Sequence, residues 1–317
     1  MDLMAGLLLT LGDQARADHQ RYFAEFAKSK GLTVSHQEAR NDFCLTKFCT
    51  KSGYDDNFLI TDDIKIWIVG TLIYKNLMGR AALIAFKEDL YEDQIGNIVR
   101  HLDGLFCLVI EKPSESGFWI ITDHAGILNF YKYDNGNTLA FSTSALALSR
   151  SFPVTVNTEG IIQFLRNASV CDSKTIYNEI ELLEPASIYY VQRKPHAKIK
   201  SKTTYWRSPI KVIEDLSFQE AKDVLANSLL DRIAVVSGAA NENIICDLTA
   251  GFDTRLVLAT FLFDSKSHQG NINTFVFGPD ASSEVNLVKE YSRSLGLKNN
   301  QLTVPEDWHE RFYDYVL

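Results

Sequence analysis

The sequence predicts two units of different class. The first is an α+β domain dominated by sheet over residues 1–200, and the second an α/β domain with a partial parallel sheet over residues 210–317. Three observations carry this. Short β-like runs separated by turn signals fill the chain up to residue 200. A basic, proline-broken stretch at 192–202 divides them from the remainder of the chain. Beyond it, apolar runs of strand length alternate with helical ones, as in strands joined by crossover helices.

In chain order, Met1-Asp-Leu-Met-Ala-Gly-Leu-Leu-Leu-Thr10 reads as a first strand. It carries Asp2 and lacks the basic n-region of a secretory signal. Further β runs are Ile64–Val69, Leu105–Ile110, Phe118–Thr122, Thr138–Ser142 and Ala186–Val191. Turn signals such as Asp134-Asn-Gly-Asn137 lie between them. Helical patches fall at 15–29, 92–102 and 158–166. The segment Gln192–Lys202 reads as a hairpin tip or a linker. Ser217-Phe-Gln-Glu220 is a capping box, starting a helix that runs to about Val236. Strand, loop and helix come next over 243–263, then a strand at Ile272–Phe277 that ends on Gly278. A helix over 281–295 places Val285, Val288 and Leu295 on one face and stops at Gly296. On such sheets ligands sit beyond the carboxyl ends of the strands, where the 248–254 loop and Phe277–Gly278 both lie.

Composition narrows the function classes. An apolar content of 46% with 23% charged residues describes a soluble globular chain. The net charge of −8 argues against a nucleic-acid partner. No apolar run approaches the roughly 18 residues a membrane helix needs. The five cysteines contain no C-x-x-C, and they read as buried free thiols in a reducing cytoplasm. Cys44 and Cys49 would face opposite sides of a strand. The seven histidines form no metal spacing.

The loop Leu248-Thr-Ala-Gly-Phe-Asp-Thr254 carries the chemical signal. A helix start presents unpaired N–H groups and the positive end of the dipole to an anion. Gly251 permits close backbone approach, Thr249 and Thr254 add hydroxyl donors, and Asp253 can hold a magnesium ion that bridges phosphates. No Walker motif occurs. The plain alternative is an ordinary strand–turn–helix joint. The loop resembles the pyrophosphate loop S-G-G-x-D-S of enzymes that split ATP between its α and β phosphates. It keeps Gly251 and Asp253, and has threonines for both serines and Ala250 for a glycine.

In order along the chain, Met1–Leu7, His101–Leu108, Ile121–Tyr131, Phe141–Leu146, Leu183–Ala186, Tyr205-Trp206 and this loop resemble segments of the asparagine synthetase family. The resemblance implies an Ntn-hydrolase-like αββα sandwich bearing a glutaminase site, then a Rossmann-like domain of the adenine nucleotide α-hydrolase type. It implies ATP and Mg²⁺ as cofactors. The partners would be a small-molecule or peptide carboxylate and an amine or ammonia, with a homodimer compatible and neither nucleic acid nor membrane involved. Thr249, Ala250, Gly251, Phe252, Asp253 and Thr254 would hold the pyrophosphate portion, with Asp253 on the metal. The backbone of Asp247 and of Phe277, with Gly278 after it, would meet the adenine edge. Arg255 would reach a phosphate or form a surface salt bridge. Asp2 stands where the family's cysteine nucleophile lies, and a carboxylate cannot make that attack. Gly70, Thr71 and Leu72 stand where the family places its oxyanion donor and glutamine holder. The expectation is therefore an ATP-dependent amide-forming ligase without a working glutaminase, or a non-catalytic module derived from one. The short second domain also leads us to expect a piece of a longer product.

Overall fold

The computed structural model describes residues 6–12, 17–50, 57–208, 216–239, 244–264, 272–305 and 307. The chain divides into two compact units, Met1–Pro209 and Ile210–Leu317.

The first unit runs β1 (Gly6–Leu11), α1 (Ala17–Ser29), β2 (Leu32–Arg40), β3 (Phe43–Thr50), β4 (Phe58–Ile60), β5 (Lys65–Tyr74) and β6 (Leu77–Met78). It continues α2 (Gly79–Glu92), α3 (Ile95–Ile98), β7 (Asp103–Glu111), β8 (Gly117–Thr122), β9 (Tyr131–Asp134) and β10 (Leu139–Ser142). It ends α4 (Ala145–Ser151), α5 (Thr158–Asn167), β11 (Ile180–Leu182), β12 (Ser187–Gln192) and β13 (Lys198–Thr204). One antiparallel sheet has the order β11-β9-β10-β1-β3-β2. The other has the order β13-β12-β8-β7-β5-β4, with β6 hairpinned onto β5.

Three cores stack these sheets. Leu7, Leu9 and Phe43 of the first sheet meet Trp67, Val109 and Phe118 of the second. The first sheet's outer face packs Leu8 and Phe48 on Phe23 of α1 and Leu148 of α4. The second sheet's outer face packs Ile66, Phe106 and Leu108 on Leu83, Phe86 and Leu90 of α2. The layers are therefore helix, sheet, sheet, helix. Strand β7 reads as an unbroken apolar run because both its faces are covered: Phe106 and Leu108 face the helix, Cys107 and Val109 the other sheet.

An ion network joins the sheets. Glu111, fully buried, accepts from Arg193 at 2.8 Å and lies 3.4 Å from Arg40 and 3.8 Å from Lys65. Glu38 pairs with Lys65 and, at 2.8 Å, with Arg40. The Arg193 guanidinium also covers the rings of Phe43 and Phe118.

The second unit contains α6 (Phe218–Ala239), β14 (Ile244–Asp247), α7 (Phe252–Asp264), β15 (Ile272–Phe277), α8 (Ser283–Ser294) and β16 (Lys298–Leu302). Its three strands form a parallel sheet in the order β14-β15-β16. The capping box at Ser217 forms: the Glu220 N–H donates to Ser217 Oγ at 3.3 Å, and the Ser217 N–H donates to the Glu220 carboxylate at 2.8 Å. Cys246, Ile272 and Val276 pack on Ile233 of α6, Leu258 and Phe261 of α7, and Val285 and Val288 of α8.

Several elements differ from the expectation. The helical patch at 92–102 shrinks to α3 and a 3₁₀ turn at Val99–His101. The long helix of this region is α2, whose Ala82, Leu83, Phe86 and Leu90 recur at helical spacing under the sheet. Of the two readings of 192–202 the hairpin holds: the segment turns after β12 and continues as the edge strand β13. The polar strand β16 was not anticipated. Leu295 is exposed, because it lies at the C-cap of α8, past the turn that faces the sheet.

Candidate functional site

Asp2 lies outside the described residues. The three other residues of the expected glutamine position sit in the middle of β5, with alternating orientation. Leu72 points into the core against α2, and Thr71, on the opposite face, is exposed. Gly70 has φ +92°, and a Cβ there would lie 2.1 Å from the Leu105 carbonyl oxygen. Across the ladder Gly104 mirrors it, at φ +106° and with a Cβ there lying 2.2 Å from the Thr71 oxygen. The glycine at 70 is thus demanded by close backbone approach between β5 and β7, and it leaves no side chain to hold a substrate. The Asn57 side-chain amide donates to the Gly70 oxygen at 3.2 Å.

The polar hub of this unit is one that the sequence did not single out as such. Asp123, fully buried, comes directly after β8. Its carboxylate accepts N–H bonds from Ala125 and Ile127 at 3.1 Å and from Leu128 at 3.0 Å. Its main chain takes the Ala186 N–H at 2.8 Å and donates to Phe106 at 3.1 Å. The D-x-x-G spacing of Asp123 and Gly126 was the available signal: an Asx-type turn closing on its own amides. The buried Cys107 beside it gives its hydrogen to the Leu128 oxygen at 3.4 Å. Burial pushes that thiol well above its ordinary range, and the Asp123 charge adds to this. Burial also raises Cys44 and Cys246. These three are thiols rather than thiolates at neutral pH.

In the second unit the expected loop lies at the carboxyl end of β14 and opens α7. Its groups are already engaged. The Ala250 N–H donates to the Glu284 carboxylate at 3.0 Å, reaching across to the first turn of α8. The Thr249 N–H donates to Thr254 Oγ1 at 3.0 Å, and the two threonine hydroxyls share a bond of 2.9 Å. The Gly251 N–H donates to Thr249 Oγ1 at 3.1 Å. Asp253 is exposed in the first turn of α7, as is Phe252, which is 84% exposed. At the end of β15, the Gly278 N–H donates to Leu302 at 3.0 Å and its oxygen accepts from the Gln301 amide at 2.8 Å. Asp247 is exposed, and the Leu248 N–H after it bonds the Phe275 oxygen at 3.0 Å. Arg255 is engaged within the unit. It donates to the Gly251 oxygen at 3.0 Å and to the Tyr291 hydroxyl at 2.9 Å. Among the described residues no group of three His, Cys, Asp or Glu side chains could hold a metal, and no helix is long and apolar enough to cross a membrane.

Residues 89–206 match the glutamine amidotransferase domain family. The matched segment holds the Asp123 hub and begins after Gly70–Leu72. None of the curated proteins matches the sequence. Among solved structures, glutamine phosphoribosylpyrophosphate amidotransferase from B. subtilis, complexed with ADP and GMP, is similar at 10% identity and a TM-score of 0.40, with 96% of this chain and 70% of that one covered. A structure described as the allosteric regulatory enzyme of purine biosynthesis shows 8% identity and a TM-score of 0.40, over 94% of this chain and 80% of that one.

Proposed function

We propose that this chain is an asparagine synthetase-like, ATP-dependent amide-forming ligase whose Ntn-type glutaminase domain no longer hydrolyses glutamine. The carboxylate substrate would be activated as an acyl-adenylate with release of pyrophosphate, and ammonia or an amine supplied directly would attack the acyl carbon. The observation that carries the nucleotide reading is the bond from the Ala250 N–H to a carboxylate. The loop at the start of α7 already accepts an anion there, as helix N-termini do. The exposed Asp253 beside it fits a magnesium ion that arrives with the nucleotide, since Mg²⁺ is commonly held by one or two carboxylates plus substrate phosphates. That ion would neutralise charge on the departing pyrophosphate. The absence of hydrolysis rests on Asp2, on the bare backbone at Gly70, and on the protonated state of the buried thiols. A cytoplasmic setting, with five free thiols, belongs to the same proposal.

A second reading, a non-catalytic binding module, is favoured by the internal engagement of Thr249, Thr254 and Gly278. Isothermal titration with ATP–Mg²⁺ separates the two. The ligase reading expects saturable binding that Asp253→Ala weakens without loss of fold, because a helix-start carboxylate contributes only about 0.3–1 kcal/mol to stability. Equal affinities would make the loop a plain strand–helix joint, and no binding at millimolar ATP would select the module. Glutamate release from glutamine above a buffer control would overturn the loss of glutaminase.

A further inference from the structure

The geometry points to a binding site for a small apolar monocarboxylate in the groove between α7 and α8. A cavity of about 410 Å³ lies there, lined by Leu248, Leu258, Leu262 and Leu295, with Arg255 and Tyr291 as its main polar members. That volume falls in the range of about 300–1,000 Å³ in which proteins hold small organic ligands. Such a lining is favourable to hydrocarbon and poor for water, which needs several polar partners.

Arg255 sets the charge of the ligand. Its guanidinium is half-buried and held in place by the Gly251 oxygen and the Tyr291 hydroxyl. It lies over the rings of Phe252 and Tyr291, at 4.7 and 5.6 Å. None of these contacts neutralises it, and no carboxylate among the described residues pairs with it. A guanidinium has five N–H donors, so Nη2 still presents hydrogens for a carboxylate. A partly desolvated cation without a counter-ion is costly, and an anionic ligand removes that cost. The aliphatic remainder of the lining would leave a second charge unpaired, so the ligand is a monoacid with a hydrocarbon tail. The site uses none of the N–H groups of residues 249–251, and it stands independently of the nucleotide reading.

Sodium octanoate, titrated calorimetrically into the full chain, tests this, with 1-octanol and octylammonium as neutral and cationic controls. We expect saturable binding of octanoate alone. Arg255→Gln should weaken it about tenfold or more, the effect of losing charge-assisted hydrogen bonds. Ala259→Phe, which fills the same cavity and leaves Arg255 in place, should weaken it comparably. Circular dichroism confirms that both variants fold, and Asp280→Asn, an exposed position that does not line the cavity, should bind octanoate as the parent does. The inference is overturned by equal affinity for 1-octanol, by unchanged affinity in Arg255→Gln, by absence of saturable binding at millimolar octanoate, or by an affinity that tracks a monomer–dimer shift in gel filtration, which would mean a second copy fills the groove.

Discussion

The two units bury their sheets differently. In the first, each sheet is covered on both faces, by the other sheet on one side and by helices on the other. In the second, every strand residue in the core has the same parity, and α6, α7 and α8 all pack on that one face. The opposite face of the parallel sheet carries Ile245, 65% exposed, and Phe277, 46% exposed. Parallel sheets are ordinarily covered on both faces. The helix α7 shows the same one-sidedness: Leu258 and Phe261 are buried while Phe263, apolar as well, is exposed. The first unit's stability should therefore rest on close packing, and the second's on a single shared core.

The largest test of this contrast is truncation of an aromatic side chain. Phe106→Ala should cost about 3–5 kcal/mol, as large-to-small changes in a close-packed core do. Phe277→Ser, on the bare face, should change stability by less than about 0.5 kcal/mol. Urea unfolding followed by hydrogen exchange in each unit checks both, and a comparable loss at the two positions would break the contrast. A methyl group probes backbone approach. Gly70→Ala combines a positive φ with a Cβ 2.1 Å from a carbonyl oxygen, and should destabilise by at least about 1–3 kcal/mol. Gly251→Ala, with no positive φ and only Thr249 Oγ1 within reach at 3.1 Å, should cost less than about 1 kcal/mol. A sharp loss at Gly251 would show that the loop is as tightly packed as the strands.

The smallest effect expected is on pH dependence. Burial tends to raise the Glu38 carboxyl, but the Lys65 and Arg40 pairs outweigh it and hold the group below its ordinary value of 4.5. A depressed folded pKa gives stability that is fully present above the ordinary value and is lost as pH falls through the folded one. The first unit should thus weaken progressively as pH drops below that range, and Glu38→Gln should flatten the acid limb of its urea midpoint. Asp280, held low by Lys289, is exposed, and Asp280→Asn should leave the second unit's profile unchanged within error. A steeper change at Asp280 than at Glu38 would reverse the comparison.

Legibility tracked the range of the forces involved. The runs at β5, β7 and β8 were visible because apolar content at strand length needs only local reading. The Ser217 capping box and the Gly296 stop are likewise closed by residues a few positions apart. Strand β16, Lys-Asn-Asn-Gln-Leu, has no such signature. It is a strand because it pairs in parallel with β15 and its Asn299 amide bonds Thr274 at 2.8 Å. The residues of the 249–254 loop could be named from the sequence, but their present partners could not, since Glu284 arrives from another helix.

By itself, the sequence determined the alternation of strands and helices, the sheet-rich first part, and the placement of a loop at a helix start. These depend on side-chain chemistry and on spacings of a few residues. Only the tertiary structure decided which side chains meet between the layers, that Gly70 answers to the Leu105 carbonyl, that Asp123 organises its turn in the core, and that Arg255 links the Gly251 oxygen to the Tyr291 hydroxyl. Each of these depends on which distant groups share a desolvated space, and a linear pattern does not encode that sharing.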